Sequence, residues 1–145
     1  MRRALLFVSL ALLSVAVFAD NRPADAAIRA LVDENMRATQ ASDLPAILET
    51  VHPEALARSG MTDMLETMKA YKLTYEAPTV EFISMAGEYA LVRVVQRTRR
   101  VSGPDFLDNE LNAIWALRLD GKKWKFWSQM ILNVRPLAQP AKPTP

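Results

Sequence analysis

The apolar pattern of this 145-residue chain changes period once, near residue 70, and that change fixes the kinds of layer it can build. Before it, Ile28, Leu31, Val32, Asn35, Met36 and Thr39 recur at i, i+3 and i+4, the stripe of an amphipathic helix, with Asp25 placed to cap its start. Ala41-Ser42-Asp43 breaks the stripe. Ser42 then stands as the cap of a shorter second helix carrying Leu44, Ile47, Leu48 and Val51. Pro45 falls in its first turn, where a missing N–H is harmless, and Pro53 ends it at about His52. A third short helix is expected from Thr62 or Asp63, where Asp63 and Glu66 have capping-box spacing, with Met64, Leu65 and Met68 as its apolar side.

After Ala70 the period is two. Tyr71, Leu73 and Tyr75 alternate with Lys72, Thr74 and Glu76, and Ala77-Pro78 interrupts as an edge or a bulge requires. Further strands are expected over 80–85, 89–99, 110–119 and 124–132, separated by turns at Ala86-Gly87-Glu88, Ser102 to Asp105, and Asp120-Gly121. Helices first and an antiparallel meander second make an α+β domain, in which the helices cover one face of the sheet because neither layer can bury its apolar side alone.

The first 19 residues stand apart. Arg2 and Arg3 precede an apolar run from Ala4 to Phe18, and Val17 and Ala19 suit the −3 and −1 positions of a signal cleavage site before Asp20. The expected organisation is a signal peptide over 1–19, one domain over 20–135, and a disordered proline-rich tail over 136–145. The expected location is the periplasm or the outside of the cell, with the membrane touched only through the cleaved signal. The chain has no cysteine, which excludes a lipid anchor at the cleavage site, a disulfide scaffold and a thiolate metal site.

The formal charge of +2 belongs to the leader, since residues 20–145 hold 16 basic and 16 acidic side chains. The overall basic field of a nucleic-acid-binding protein is therefore missing. The remaining charge is uneven: residues 20–81 carry 11 acids and 6 bases, residues 82–145 carry 5 acids and 10 bases. This is read as a solvated surface, and the Arg97-Thr98-Arg99-Arg100 cluster as a solvated or interface strand end.

A two-residue turn at Asp120-Gly121 would set Leu117 opposite Trp124 and Trp115 opposite Phe126. Ala113, Trp115, Leu117, Trp124, Phe126, Ser128 and Met130 then share the core face. Ile114, Trp127, Gln129 and Ile131 share the outer face; Ile114, Trp127 and Ile131 are too apolar for open water, and the four are expected to form a homodimer surface. On the strand over 89–99, Leu91, Arg93, Val95, Arg97 and Arg99 should face out. Gln96 then lies among the inward residues and needs a partner or a water.

Several pieces in order resemble the nuclear-transport-factor-2-like superfamily, near its SnoaL-like branch. They are Ala38 followed by Asp43-Leu44, then His52-Pro53-Glu54-Ala55, then Gly87-Glu88-Tyr89-Ala90-Leu91-Val92. The most specific is the final hairpin Leu117 to Phe126, with its Asp-Gly-x-x-Trp-x-aromatic ending. The resemblance spans residues 26–132 and implies a cone, a strongly curved cystatin-like sheet wrapped around the helices with a pocket at its wide end. The superfamily contains isomerases, cyclases, dehydratases and non-enzymatic binding or assembly modules, so the fold alone does not select an activity.

The residues narrow the choice. No G-x-S-x-G is present, and a Ser-His-Asp set would depend on His52, which at a helix end before proline reads as a capping or packing residue. With one histidine only oxygen ligands remain, and Asp105, Asp108 and Glu110 match no calcium-loop spacing, so neither a metal nor another cofactor is expected. The resemblance implies, for an isomerase, a tyrosine on the first helix and a carboxylate after the second. The sequence offers Asn35 and Met36 at the first place and no aspartate after Pro53 at the second. The pocket candidates are Asn35, Tyr71, Tyr75, Gln96, Trp115 and Ser128, with Met61, Met64, Met68 and Met130 as flexible apolar lining or core filler. The expected function is a small-molecule-binding or assembly domain with a mostly apolar pocket and no catalysis. One alternative is an acid–base enzyme of hydratase, cyclase or isomerase type using Tyr71 or Tyr75 with an inward Glu110 or Asp108. The other is an interaction module with a plugged cone.

Overall fold

The computed structural model describes residues 22–138. The expected signal peptide lies outside them, as does most of the expected tail. Helix α1 spans Arg22–Gln40, α2 spans Leu44–Thr50, a 3₁₀ turn spans Leu56–Gly60, and α3 follows it directly over Met61–Met68. The helices sit where the apolar period put them, but three caps differ. α1 starts ahead of Asp25, which lies inside the first turn and pairs with Arg29 at 3.0 Å. Ser42 takes a left-handed φ of 55° to reverse the chain, so the next residue caps α2: Asp43 Oδ1 accepts from the Ala46 N–H at 3.1 Å. α3 grows out of the 3₁₀ turn with Gly60 before it, so Asp63 stands in its first turn rather than at a cap.

Five strands follow: β1 Lys72–Tyr75, β2 Thr79–Ala86, β3 Tyr89–Ser102, β4 Asn109–Asp120 and β5 Lys123–Pro136. All pairs are antiparallel, with the order β1-β3-β4-β5 and with β2 also paired to β3. β1 and β2 lie end to end along one edge of β3. The break at Ala77-Pro78 is where proline removes a ladder donor. Register shifts in β1, in β2 and at two places between β4 and β5 bend the sheet around the helices. The result is the cone-shaped α+β fold.

Alternation along β3 behaves as the sequence predicts, with Ala90, Val92, Val94, Gln96 and Thr98 buried and Leu91, Arg93 and Arg97 exposed. Ile28 and Val32 of α1 meet Val92, Val94, Leu117 and Phe126 in one core cluster. Each such side chain contributes about 1.5–3 kcal/mol by leaving water.

The last hairpin differs from expectation in register. Asp120 pairs with Lys123, so Gly121 and Lys122 are the central residues. Of these two only Gly121 has a positive φ, 61°, the pattern of a type II′ turn with glycine first. The displacement is by two residues, so Leu117 meets Phe126 instead of Trp124 and both remain on the inner face. Farther along, parity is lost. The shift between Ala116 and Leu117 inserts Trp127 as an unmatched residue, and beyond it Gln129 lies opposite Trp115 and Ile131 opposite Ala113.

The four expected homodimer-face residues therefore do not share a face. Gln129 and Ile131 stand on the concave side, Ile114 shares the convex side with its partner Met130, and Trp127 occupies the bulge. β5 also continues past Leu132 to Pro136, through the first residue of the expected tail. Among the described residues its outer edge is covered only near its start, by the parallel bridge of Val51 to Phe126.

Candidate functional site

A cavity of about 580 Å³ opens between α1, the segment from Leu56 to Met68, and the middle of β5. That volume lies within the roughly 300–1,000 Å³ that holds drug-sized ligands. Its sheet wall is Trp115, Phe126 and Trp127, with Ser128 and Gln129 beside them. Its helical wall is Asn35, Thr39 and Ile47. α3 closes the remaining side with Met61, Met64, Leu65 and Met68, which fall at i, i+3, i+4 and i+7 and so share one stripe. α3 has no fully buried residue, and its methionines are the flexible, polarizable kind of wall that adapts to a guest. Among the described residues, none that lines the cavity is Asp, Glu, His, Lys, Arg or Tyr.

The aromatic wall is held from behind. Trp115 meets Phe126 edge to face, with centroids 5.3 Å apart. Trp127 takes the edge of His52 at 5.1 Å and the guanidinium of Arg118 over its ring at 4.9 Å. Arg118 is itself tied by ion pairs to Glu54 at 2.7 Å and Glu88 at 3.1 Å, which hold its guanidinium charged beyond the usual arginine range. His52 is buried and accepts the Glu54 N–H at Nδ1, so it packs and caps, as its place before Pro53 suggests.

Of the sequence-predicted pocket residues, Asn35, Trp115 and Ser128 line the cavity. Tyr71 and Tyr75 do not. They border a cleft of only about 40 Å³ on the far side of Thr39, Leu65 and Met68, which touch both spaces. Burial pushes the Tyr75 hydroxyl above its ordinary pKa, which keeps it protonated and unfit to act as a base. Gln96 faces inward but lines neither space: its Nε2 donates to the Glu76 and Arg97 carbonyls, and its Oε1 is buried without a partner. Met61, Met64 and Met68 line the cavity, whereas Met130 is exposed on the convex side. Gln129 and Trp127, read from the sequence as a dimer face, belong to the cavity wall because of the bulge.

The carboxylates proposed as inward partners of a tyrosine are committed elsewhere. Glu110 lies between Arg97 Nε at 2.8 Å and Arg135 Nη2 at 2.7 Å, and the hydrogen bond from Arg97, with the charge of Arg135, holds its pKa below the usual carboxylate range. Asp108 accepts the Arg100 N–H at 2.8 Å and faces Arg99. The same pairs occupy the arginines of the 97–100 cluster, together with Glu76 and Asp105. Among the described residues no group of three His, Cys, Asp or Glu side chains is placed to hold a metal ion, and no helix is long and apolar enough to cross a membrane.

The family model of the C-terminal domain of anti-sigma-I factor RsgI9 matches residues 30–137, from the third turn of α1 to just past β5. The chain belongs to the RsgI9 C-terminal-domain family. No curated protein matches it. Solved structures similar to this RsgI9-type domain include an NTF2-like protein of unknown function from Pseudomonas putida KT2440, with 20% identity over 74% of this chain and 84% of that one, at a TM-score of 0.60. The beta subunit of benzoate 1,2-dioxygenase from Burkholderia mallei is similar at 18% identity over 73% and 87%, TM-score 0.60. A ketosteroid isomerase-like protein from Erwinia carotovora atroseptica is similar at 16% identity over 80% and 99%, TM-score 0.57. These likenesses place the RsgI9-type domain in the NTF2-like fold, as the sequence motifs imply, and leave its activity to its own residues.

Proposed function

We propose that this chain is an exported binding domain that holds a small, mostly apolar molecule in the cone without transforming it. The observation that carries the reading is the cavity, large enough for a guest and lined by methionine, aromatic and aliphatic side chains with only amides and hydroxyls among them. General acid–base catalysis requires a titratable group within reach of the guest. Among the described residues none lines this cavity, and the tyrosines and carboxylates that the enzyme alternative would use stand outside it. The open volume likewise argues against a plugged interaction module. RsgI9 is by its name a regulator of a sigma factor, a likeness that supports reception of a signal over turnover of a substrate.

The test is uptake of the neutral fluorescent probe N-phenyl-1-naphthylamine by the chain purified from an exporting host, with native mass spectrometry of the same sample for any retained guest. The expected result is a saturable rise in probe emission that Ala57→Trp abolishes. Ala57 is exposed and lines the cavity, so the indole fills the space without disturbing the core. A probe signal absent from the parent chain, or one that Ala57→Trp leaves intact, overturns the reading.

A further inference from the structure

Asn35 is the most buried polar residue on the cavity wall, 9% exposed, and half of its amide is already used. Its Nδ2 donates to Thr50 Oγ1 at 2.7 Å, and Thr50 Oγ1 donates in turn to the Ile47 carbonyl at 2.6 Å. The relay has one direction. A hydroxyl has a single proton, and that of Thr50 is engaged by a carbonyl that can only accept. The Thr50 oxygen must therefore accept from Asn35. Turning the amide over would set Oδ1 against another acceptor. α2 fixes the relay, since Ile47 and Thr50 are one turn apart on its buried side.

What Asn35 leaves for the cavity is its carbonyl oxygen, which accepts no hydrogen bond among the described residues. Unlike the Trp115 indole N–H, which is shut away from solvent without a partner, Asn35 Oδ1 is not closed off. Thr39, Ser128 and Gln129 can each serve as donor or acceptor, so they adapt to either kind of guest. Only the Asn35 amide is locked.

We infer that the guest is an uncharged, largely apolar molecule carrying a hydrogen-bond donor, an alcohol, phenol or N–H, that is received by Asn35 Oδ1. The inference rests on the small-molecule reading of this cavity and names the class of molecule it selects. An acceptor-only guest such as an ether or ketone would set oxygen against oxygen at the deepest polar point of the wall. A carboxylate would do the same and would also lose its hydration with no cation among the lining residues. An ammonium would find one neutral oxygen and no counter-charge.

The experiment is calorimetric titration of the chain with 2-naphthol, 2-methoxynaphthalene and 2-naphthoate, which share a ring system and differ at one substituent. The expected order places 2-naphthol about five- to tenfold tighter than its methyl ether, the worth of one neutral hydrogen bond, with 2-naphthoate weakest. In the double variant Asn35→Leu/Thr50→Val both side chains become apolar, so neither is left as an unpaired polar group and only the Ile47 carbonyl loses a donor, equally for every guest. There 2-naphthol should fall to the affinity of the ether, and the ether should stay within about twofold of its parent value. The single variant Thr50→Val is the second readout should the double variant fail to fold. It releases Nδ2, lets the amide turn, and should move the naphthol-to-ether ratio toward one. Equal binding of naphthol and ether to the parent chain, or a preference that survives Thr50→Val, overturns the inference and leaves the cavity reading standing. Failure of all three compounds to bind overturns both.

Discussion

Gly103 joins the β3–β4 loop to the helical side of the cavity, and its replacement by alanine tests that join quantitatively. Its φ is 105°, a conformation L side chains rarely adopt. A Cβ built there would lie 2.5 Å from the Ala70 carbonyl oxygen and 3.1 Å from Tyr71 Cα, both backbone atoms. The dihedral costs about 1–3 kcal/mol for a non-glycine residue. The clash adds about 1–3 kcal/mol, because a backbone segment and not a flexible side-chain tip must give way. The sum, roughly 2–6 kcal/mol, is a large part of the 5–15 kcal/mol that holds a typical domain together. At about 3–5 °C per kcal/mol for a domain of this size, it corresponds to a fall in Tm of roughly 6–30 °C. Gly87→Ala is the internal control. Its φ is 59° and nothing lies within 4 Å of the added carbon, so only the dihedral cost of about 1–2 kcal/mol applies. Thermal and urea unfolding of the two variants should differ by at least the clash. Equal losses would refute the close approach of Gly103 to Ala70. The same contact bears on the site, because Ala70 follows the C-terminal end of α3 and a displaced Ala70 pushes on the helix that carries the cavity methionines.

Three further outcomes are expected. The depressed pKa of Glu110 means that its stabilising effect is complete above the ordinary carboxylate range and is lost as pH falls through the lower folded-state value. Glu110→Gln should therefore be less stable than the parent near pH 7, and urea midpoints of the two should converge only as pH falls from the ordinary carboxylate range through that lowered value; a gap independent of pH would count against the Arg97 and Arg135 pairs. Leu117, with no exposed surface, should lose about 2–5 kcal/mol on change to alanine. Leu107, 57% exposed in the loop before β4, should lose less than about 0.5 kcal/mol in the same urea assay.

Element type and order are legible in the sequence because burial imposes a period: α1 shows 3.6 from Ile28 to Thr39, and β3 shows two from Ala90 to Thr98. Asn35, Trp115 and Ser128 stand out as cavity residues because each is a polar or aromatic group on an otherwise apolar stripe. Tyr71 and Tyr75 satisfy the same rule and fall outside. Alternation reports the face of a sheet and not the position along it, and β1 sits beyond Leu65 and Met68. The misplacement of Gln129 and Ile131 has another cause. Regular alternation carries parity straight through Trp127, and the run Trp127 to Val134 mixes apolar residues with Ser128, Gln129 and Asn133 in no period that announces a bulge. The role of α3 is legible in principle. Met61, Met64, Leu65 and Met68 form a helical stripe on a segment with few other apolar residues, the sign of a helix that covers a space and does not fill a core.

β5 uses fourteen residues, Lys123 to Pro136, to run beside the twelve of β4, Asn109 to Asp120. The two surplus residues act as a gearing between sequence and surface. Because Trp127 is looped out of the ladder, Gln129 and Ile131 stay opposite Trp115 and Ala113; drawing Trp127 into regular register would leave the Leu117–Phe126 pair untouched and turn Gln129 and Ile131 away from the concave side. One looped-out residue thus decides which side chains of β5 look into the cavity, at no cost to the core pair beside it.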